Sequence, residues 1–319
     1  MTGGPTGSVP GGPLALDRAV PLLRCPACGQ AMRAADRAMV CDDGHSFDRA
    51  RQGHLSLFGP RGRRFPGDGP DQVAARDRVL GSGLFDPLAA TLGDVARHGL
   101  GRGAVARAAH DLPTAPIGPV VLEAGAGTGF YLAAVVDAVA GTGPGSGVLG
   151  IGTEISTAAA RRLARVHDDV AALVSDTWDG LPVVDDCVDL LQLVFAPRNT
   201  AEFARVLRPG GTLVVAVPGP GHLEPLRSAG GMLAPAADKG ERLDADLSGA
   251  FEPGVVHTVD VDTEVPAPVA VDLALMGPSG VHLDRARLVD RLGTQDRPVR
   301  LHVEVRTYRL RPAGGSLQQ

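Results

Sequence analysis

Three of the chain's four cysteines and one histidine fall within the stretch CPACGQAMRAADRAMVCDDGH, residues 25 to 45. Cys25, Cys28, Cys41 and His45 follow the pattern C-x2-C-x12-C-x3-H. Two cysteines two residues apart lie on one tight turn, and the second pair returns after a hairpin-sized excursion, so these four ligands suit tetrahedral Zn²⁺. Since the protein supplies every ligand, such a site stabilises a small ribbon and does not activate water. The cluster therefore predicts one structural zinc ion in a short N-terminal module.

The cellular compartment decides how closely spaced cysteines are interpreted. No run of about eighteen uncharged apolar residues occurs, and the start MTGGPTGSVPGGPLALD lacks the basic and apolar regions of a signal peptide. We therefore expect a cytoplasmic protein without a membrane segment, in which reduced thiols bind metals or act in redox chemistry before they form disulfides. The fourth cysteine, Cys187, lies in a distant apolar run and is expected in the core.

A glycine-rich turn in the stretch PVVLEAGAGTGFYLAAVV, residues 119 to 136, marks a second site. An apolar strand, Val120–Leu122, leads into Glu123 and the turn, and a helix is expected from about Phe130. Glycines let a ligand lie directly on the backbone, although dinucleotide binders and many loops share this pattern. Glu123 would repel a pyrophosphate and suits a cationic or amino-bearing ligand, which favours S-adenosylmethionine over NAD. The glycines of the turn are Gly125, Gly127 and Gly129.

Two further acidic residues follow predicted strands. The segment VLGIGTEIS predicts a buried strand that ends at Glu154, whose carboxylate could accept hydrogen bonds from both ribose hydroxyls or could be a solvated loop residue. After Val174, Asp176 is placed to accept a hydrogen bond from an adenine amino group. With the glycine turn, these residues predict a nucleoside-bearing cofactor along one edge of a sheet.

Strands and helices alternate through the middle of the chain. Strands are expected at 188–194 and 213–217, a helix at 201–207 and a Pro-Gly-Gly turn at 209–211. Such alternation builds an open, mostly parallel α/β sheet with its site at the carboxyl ends of the strands, the architecture of a Rossmann-like class I methyltransferase. The segments VHTVDVDTEV and VRLHVEVRTYRL alternate with period two and predict an antiparallel edge, with ALMGPSG as a turn between them.

Taken together, these features resemble the zinc-containing 23S rRNA guanine-N1 methyltransferases, a family with housekeeping members and members that confer macrolide resistance. The resemblance runs from about residue 22 to about residue 310. Its most specific segments are the zinc cluster with HSFDRARQG at 45–53, VAARDRVLGSGLFDPL at 73–88, VFAP at 194–197 and PGPGHL at 218–223.

The resemblance implies methylation of N1 of a guanine in a 23S rRNA hairpin, with S-adenosylmethionine as cofactor and one structural Zn²⁺. The four residues of the cluster match the family's zinc ligands. Phe85 falls where the family places an aromatic residue against the cofactor, and Thr128 and Gly129 fall on the turn that touches it. His222 matches the histidine of the PGPxHL loop beside the cofactor. No catalytic base is assigned.

Charge and two departures from the family bear on the methyl acceptor. The net charge of −5 argues against a protein that binds nucleic acid over its whole surface, yet residues 20–65 contain eight arginines against four aspartates, which favours a phosphate-contacting module. His54 and Ser56 stand where the family usually has tyrosine and asparagine, in the part expected to face RNA. A small-molecule methyltransferase is therefore the alternative. The intact run from Glu123 to Gly129 argues against a third hypothesis, a noncatalytic zinc and RNA-binding module.

The expected organisation has four parts. Residues 1–20 are predicted to be disordered, 21–60 to form the zinc module, 61–90 a linker and helix, and 91–312 the methyltransferase domain. The tail AGGSLQQ is predicted to be disordered as well. The expected partner is a 23S rRNA hairpin, and the family resemblance also suggests a homodimer.

Overall fold

The computed structural model describes residues 15–63, 65–109, 118–140, 147–232, 239–277, 280 and 283–311, with the backbone alone for 102–109 and 239. This part of the chain contains ten α-helices and eleven β-strands, and none of its helices is both long enough and apolar enough to span a membrane. The helices are α1 (Ala15–Ala19), α2 (Pro70–Leu80), α3 (Asp86–Ala109), α4 (Phe130–Val139), α5 (Thr157–Leu163), α6 (Thr200–Val206), α7 (Leu226–Gly230), α8 (Lys239–Leu247), α9 (Ala267–Met276) and α10 (Arg285–Leu292). The strands are β1 (Met32–Ala34), β2 (Ala38–Cys41), β3 (Ser46–Asp48), β4 (Leu55–Ser56), β5 (Val120–Ala124), β6 (Leu149–Glu154), β7 (Val170–Val174), β8 (Val188–Val194), β9 (Leu207–Pro218), β10 (Phe251–Val265) and β11 (Arg297–Leu310).

Eight strands form the main sheet in the order β10-β11-β9-β8-β5-β6-β7-β4. The strands from β4 to β9 run parallel, and β11 is antiparallel to both of its neighbours. Every residue of β5, β6, β7 and β8 is buried, which is typical of parallel strands covered by helices on both faces. The strand order reverses between β5 and β8, where open α/β sheets bind ligands at the carboxyl ends of their strands. The sheet confirms the predicted α/β class, and the reversal between β5 and β8 locates the cleft expected to bind the cofactor.

Two hydrophobic cores cover the two faces of the sheet. Successive residues of a strand point to opposite faces, so Val121 and Leu122 of β5 belong to different cores. Val121 shares its core with Leu190 and with residues of α3 and α4. Leu122 shares the other core with Leu16 of α1 and Phe203 of α6. The carboxyl ends of the central strands are therefore held rigidly from both sides.

The zinc module is a three-stranded antiparallel sheet, β1-β2-β3, joined to the main sheet. β4, which lies inside the predicted zinc segment 21–60, pairs parallel with β7 through Leu55 and Leu173. Cys25 and Met39 of the module are buried in the same core as Leu173. The module and the main sheet therefore share one hydrophobic core.

The predicted disorder of residues 1–20 is wrong for its last part. α1 begins at Ala15, and Ala15, Leu16 and Ala19 are buried. Apolar residues at these spacings lie on one side of a helical turn, and this side contacts β6 and β7. Residues 1–14 and the tail AGGSLQQ lie outside the described residues.

The C-terminal half differs from its prediction in two places. β10 and β11 pair antiparallel, as predicted. The expected turn at 209–211 lies inside β9, where the register against β8 jumps from Leu207 to Thr212 and a bulge takes up the glycines. Within ALMGPSG, residues 274–276 are the last turn of α9, which ends only before Gly277. α9 is apolar on nearly all sides, so no helical period marks it in the sequence.

Candidate zinc centre and cofactor cleft

Cys25, Cys28, Cys41 and His45 come together, with one donor atom of each within 4.8 Å of the other three. The Sγ atoms of Cys28 and Cys41 are 3.6 Å apart, and Sγ of Cys41 is 3.4 Å from Nδ1 of His45. Two thiolates bound to one tetrahedral Zn²⁺ at about 2.3 Å lie about 3.8 Å apart. The donor set and its spacing therefore fit one zinc ion.

Local hydrogen bonds shape both pairs of ligands. In the first pair, the backbone N–H of Cys25 donates to the carbonyl of Gln30 at 2.8 Å, and the N–H of Gly29 donates to the carbonyl of Cys25 at 2.8 Å. In the second pair, the N–H of Cys41 donates to the carbonyl of His45 at 3.1 Å. Cys25 and Cys41 are each 1% exposed, so two of the four ligands are closed to water. This geometry suits a structural zinc centre better than a catalytic one.

The glycine turn at the end of β5 is packed too closely for side chains. Gly125 and Gly129 have φ angles of +73° and +88°. A Cβ on Gly125 would lie 2.7 Å from the Cβ of Ala196, and one on Gly129 would lie 2.6 Å from Leu163. Only glycine tolerates both the left-handed backbone and the contact. The turn therefore brings bare backbone to the carboxyl edge of the sheet, and internal hydrogen bonds fix its shape, with the N–H groups of Gly125 and Ala126 donating to the carbonyl of Thr153.

Glu123 lies in β5 below this turn and is 1% exposed. Its Oε2 accepts a hydrogen bond from Nε2 of Gln192 at 3.0 Å. Burial raises the pKa of Glu123 to about 8, and the charge of Glu154 adds to the rise, while the bond from Gln192 opposes it. A cationic group of a ligand would favour the ionised carboxylate, which agrees with the expectation of an amino-bearing cofactor.

Glu154, the last residue of β6, ties the glycine turn to the next strand. Its Oε2 accepts from the backbone N–H of Gly127 at 2.9 Å, and its Oε1 accepts from that of Ser156 at 2.7 Å. Burial raises the pKa of Glu154, and the two backbone bonds partly offset this. A carboxylate has about four acceptor positions, so both oxygens can still accept from ribose hydroxyls. That contact stays a prediction.

Beyond β7, Asp176 and Ser175 present polar atoms that the described residues leave unsatisfied. Asp176 Oδ1 accepts from the backbone N–H of Trp178 at 3.0 Å and caps the 3₁₀ turn Thr177–Asp179. Asp176 Oδ2 and Ser175 Oγ are buried and have no hydrogen-bond partner among the described residues. Buried polar atoms are rarely unpaired, and such exceptions mark bound ligand or water. These atoms fit the adenine end of S-adenosylmethionine, whose amino group donates hydrogen bonds.

One wall of the cleft is aromatic. Phe195 follows β8 with a φ of +54°, which is rare for a bulky residue, and is 42% exposed. Its ring lies 6.4 Å from that of Phe85 and 5.7 Å from that of His222. Phe85 is 1% exposed and also packs edge-to-face on Tyr131, so it supports Phe195 from inside the core. Contact of Phe85 and His222 with the cofactor stays a prediction, and the exposed ring of Phe195 was not predicted.

Two expectations about the zinc module change in the structure. His54 was expected to face RNA, but it is 5% exposed because it is packed where β4 joins the sheet. Four of the eight arginines in residues 20–65 lie within 4.0 Å of an aspartate, so this part of the chain carries less free positive charge than its composition indicates. These pairs are Arg24–Asp185, Arg33–Asp42, Arg49–Asp17 and Arg61–Asp179. Arg64 lies outside the described residues.

Comparison with known proteins covers both the zinc centre and the cleft. A family model described as "RlmA, N-terminal" matches residues 23–60. A protein of Micromonospora griseorubida with the provisional name 23S rRNA (guanine-N(1)-)-methyltransferase is 40% identical over 297 residues, 92% of this chain and 98% of that protein. The 23S rRNA (guanine(748)-N(1))-methyltransferase of Streptomyces fradiae is 36% identical over 270 residues, 85% of this chain and 89% of that enzyme. The similarity thus extends through nearly the whole chain.

Proposed function

The chain belongs to the family of 23S rRNA (guanine-N1)-methyltransferases, and from this premise we propose that it transfers a methyl group from S-adenosylmethionine to N1 of one guanine in a 23S rRNA hairpin. The main support for the proposal is that a four-ligand zinc centre and a glycine-lined cleft are built on the same hydrophobic core. The name of the Streptomyces fradiae relative makes guanine 748 the first position to test.

Different residues of the cleft would contact different parts of the cofactor. S-adenosylmethionine, when bound, supplies a methyl group activated by a sulfonium. The backbone of the glycine turn, the carboxylate of Glu154 and Oδ2 of Asp176 would hold its methionine, ribose and adenine parts in turn. The buried carboxyl of Glu123 would lose its proton as the positive charge arrives.

The acceptor guanine must reach this cleft out of its hairpin, as base-modifying enzymes require. The exposed ring of Phe195 offers a stacking surface for it, held in place by Phe85 behind and His222 beside it. N1 of guanine loses its proton as the new N–C bond forms, so positioning and proton acceptance both matter. His222 is the titratable side chain that packs against Phe195, and we expect it to influence this step without assigning it as the base.

The zinc module is proposed to recognise the hairpin. A cytoplasmic location follows from the proposed rRNA substrate. Pairing into a homodimer stays a prediction that sedimentation of the purified protein would test. Macrolide resistance likewise stays a prediction, tested by the inhibitory concentration of a macrolide for a sensitive host that expresses the chain.

Methyl transfer from labelled S-adenosylmethionine tests the proposal. The acceptors are 23S rRNA without its natural modifications and, separately, a macrolide as the small-molecule alternative. We expect label in rRNA alone, and label in the macrolide alone would contradict the proposal. Cys25→Ala should lose both zinc and rRNA methylation but still bind cofactor. The matched control is Cys187→Ala, because Cys187 is equally a buried cysteine, at 3% exposed, but lies outside the zinc centre.

A further inference from the structure

Two arginines after the glycine turn carry positive charge that no described acid neutralises. Arg161 and Arg165 are exposed, and neither side chain has a hydrogen bond or ion pair with another described residue. They are four residues apart, on α5 and the turn that follows it, so they lie on the same side of that segment. Most other described arginines are paired with carboxylates, for example Arg208 with Asp189 at 3.0 Å. These two guanidinium groups are therefore available to an anion.

The two arginines line a groove of about 680 Å³ between α2 and α5. The acid in its lining is Asp77, which is already paired with Arg162. Thr128 of the glycine turn and Phe130 at the start of α4 lie in the same lining. The groove therefore runs from an arginine-lined side to the edge of the cofactor cleft.

At the end of the groove away from the cofactor cleft, the segment after α5 contacts the zinc module. A Cβ built on Gly53 would lie 3.7 Å from the Cβ of Ala164, so the turn 50–53 rests against the residue just before Arg165. Arg51 is exposed in that turn and has no ion pair with a described residue. His54, buried at the same seam, has a pKa lowered first by burial and then by the positive charge of Arg161.

Guanidinium groups bind phosphate oxygens through paired N–H donors, and a row of them suits a phosphodiester backbone. We propose that this groove binds the phosphates of the rRNA strand that runs from the zinc module to the cofactor cleft, with Arg161 and Arg165 as direct phosphate ligands. The inference rests on the proposed function, because an RNA acceptor is what brings a phosphate chain to this side of the molecule.

Salt-dependent binding of a labelled 23S rRNA hairpin tests it. The Arg161→Ala/Arg165→Ala variant removes both guanidinium groups. The slope of log affinity against log salt should then become shallower by about 1.4 to 1.8, because each neutralised phosphate accounts for about 0.7 to 0.9 of the slope. The matched control, Arg287→Ala/Arg309→Ala, removes two exposed arginines on α10 and β11 that also lack a described ion pair, and should keep the wild-type slope.

Further arms separate the alternatives. An Arg161→Lys/Arg165→Lys variant should keep most of the slope, and both arginine variants should bind S-adenosylhomocysteine like wild type, which shows that the fold is intact. Equal slopes in the alanine variant, the control and the wild type would overturn the inference while leaving methylation standing. A wild-type protein that neither methylates nor binds the hairpin would overturn the proposed function and this inference with it. If inorganic phosphate displaces the hairpin at constant ionic strength, the groove binds a free anion, and the inference of an RNA-backbone site is overturned.

Discussion

At the scale of single residues, the carboxyl group of Glu123 is buried out of reach of water. Burial raises its pKa to about 8 from an ordinary value of 4.5. The folded protein therefore holds this proton more tightly than the unfolded chain does. Consequently the free energy of unfolding should fall as the pH rises from about 4.5 to about 8 and then level off.

Glu123→Gln should remove this pH dependence in the protein without cofactor. The amide keeps the size of the side chain, can still accept from Gln192 and never ionises. The variant should exceed the wild type in free energy of unfolding by an amount that grows with pH, to roughly a few kcal/mol at pH 8. Urea unfolding of both proteins from pH 5.5 to 8.5 measures the difference, and a constant separation over that range would contradict the account.

Asp176→Asn separates the roles of the two oxygens of Asp176. The amide oxygen can still accept from Trp178 N–H and cap the 3₁₀ turn, whereas an amide NH₂ in place of Oδ2 cannot accept from an adenine amino group. We expect about 10- to 100-fold weaker binding of S-adenosylmethionine by calorimetry, with little change in thermal stability. Asp179→Asn, in the same turn but paired with Arg61, is the control. Similar losses in both variants would argue against adenine recognition by Asp176.

Residues were predictable where the signal is local. The four zinc ligands and the acid of Glu154 follow from spacing and from the end of an apolar run. The left-handed, exposed Phe195 is set by the loop that brings His222 beside it, which neighbouring sequence does not reveal. The sequence also does not reveal which arginines form ion pairs, because partners such as Arg61 and Asp179 are far apart in the chain.

At the scale of elements, a buried acid of α9 ties α2 to α9 and α10. Asp272 of α9 is 3% exposed and accepts two hydrogen bonds from Arg78 of α2, at 2.6 and 2.8 Å, and a further one from Arg285 of α10. Burial alone would raise the pKa of Asp272, but the bonds from both arginines outweigh it and lower the pKa. The stability that this carboxylate provides is therefore present above its unfolded pKa and lost as the pH falls through the lower folded value.

Asp272→Asn should loosen α2 and, through Arg76 near the glycine turn, weaken cofactor binding several-fold. Both arginines are about half exposed, at 52% and 50%, so the loss of stability should be about 1–3 kcal/mol, less than for a fully buried pair. Hydrogen exchange of α2 and urea unfolding give the two readouts. Asp260→Asn, which breaks the exposed Asp260–Arg300 pair, should change neither by much. Unchanged exchange in α2 would refute the tether.

Long elements with a clear pattern were foreseen, and short ones were not. β5, β6 and β8 are apolar runs bounded by turns, whereas α1 has five residues and β4 only two. Such short elements are stabilised by tertiary contacts: α1 packs on β6 and β7, and β4 forms its hydrogen bonds with β7. No local propensity could have predicted them.

At the scale of the whole molecule, the zinc module and the methyltransferase sheet should unfold together, since they share a core. Removing zinc with a chelator should therefore lower the midpoint of one thermal transition by roughly 10 °C, and adding zinc back should restore it. Calorimetry with and without chelator distinguishes this from two independent units, which would show a second transition or an unchanged main one.

Primer extension through 23S rRNA distinguishes methylation at N1 of a single guanine from methylation elsewhere on the base. A methyl group on N1 blocks Watson–Crick pairing, so reverse transcriptase should stop beside one guanine, guanine 748 being the first candidate. We predict this stop only after incubation with the protein and S-adenosylmethionine, and not with Cys25→Ala. Methyl label in the rRNA without any such stop would contradict the claim, because the methyl group would then lie off the pairing edge.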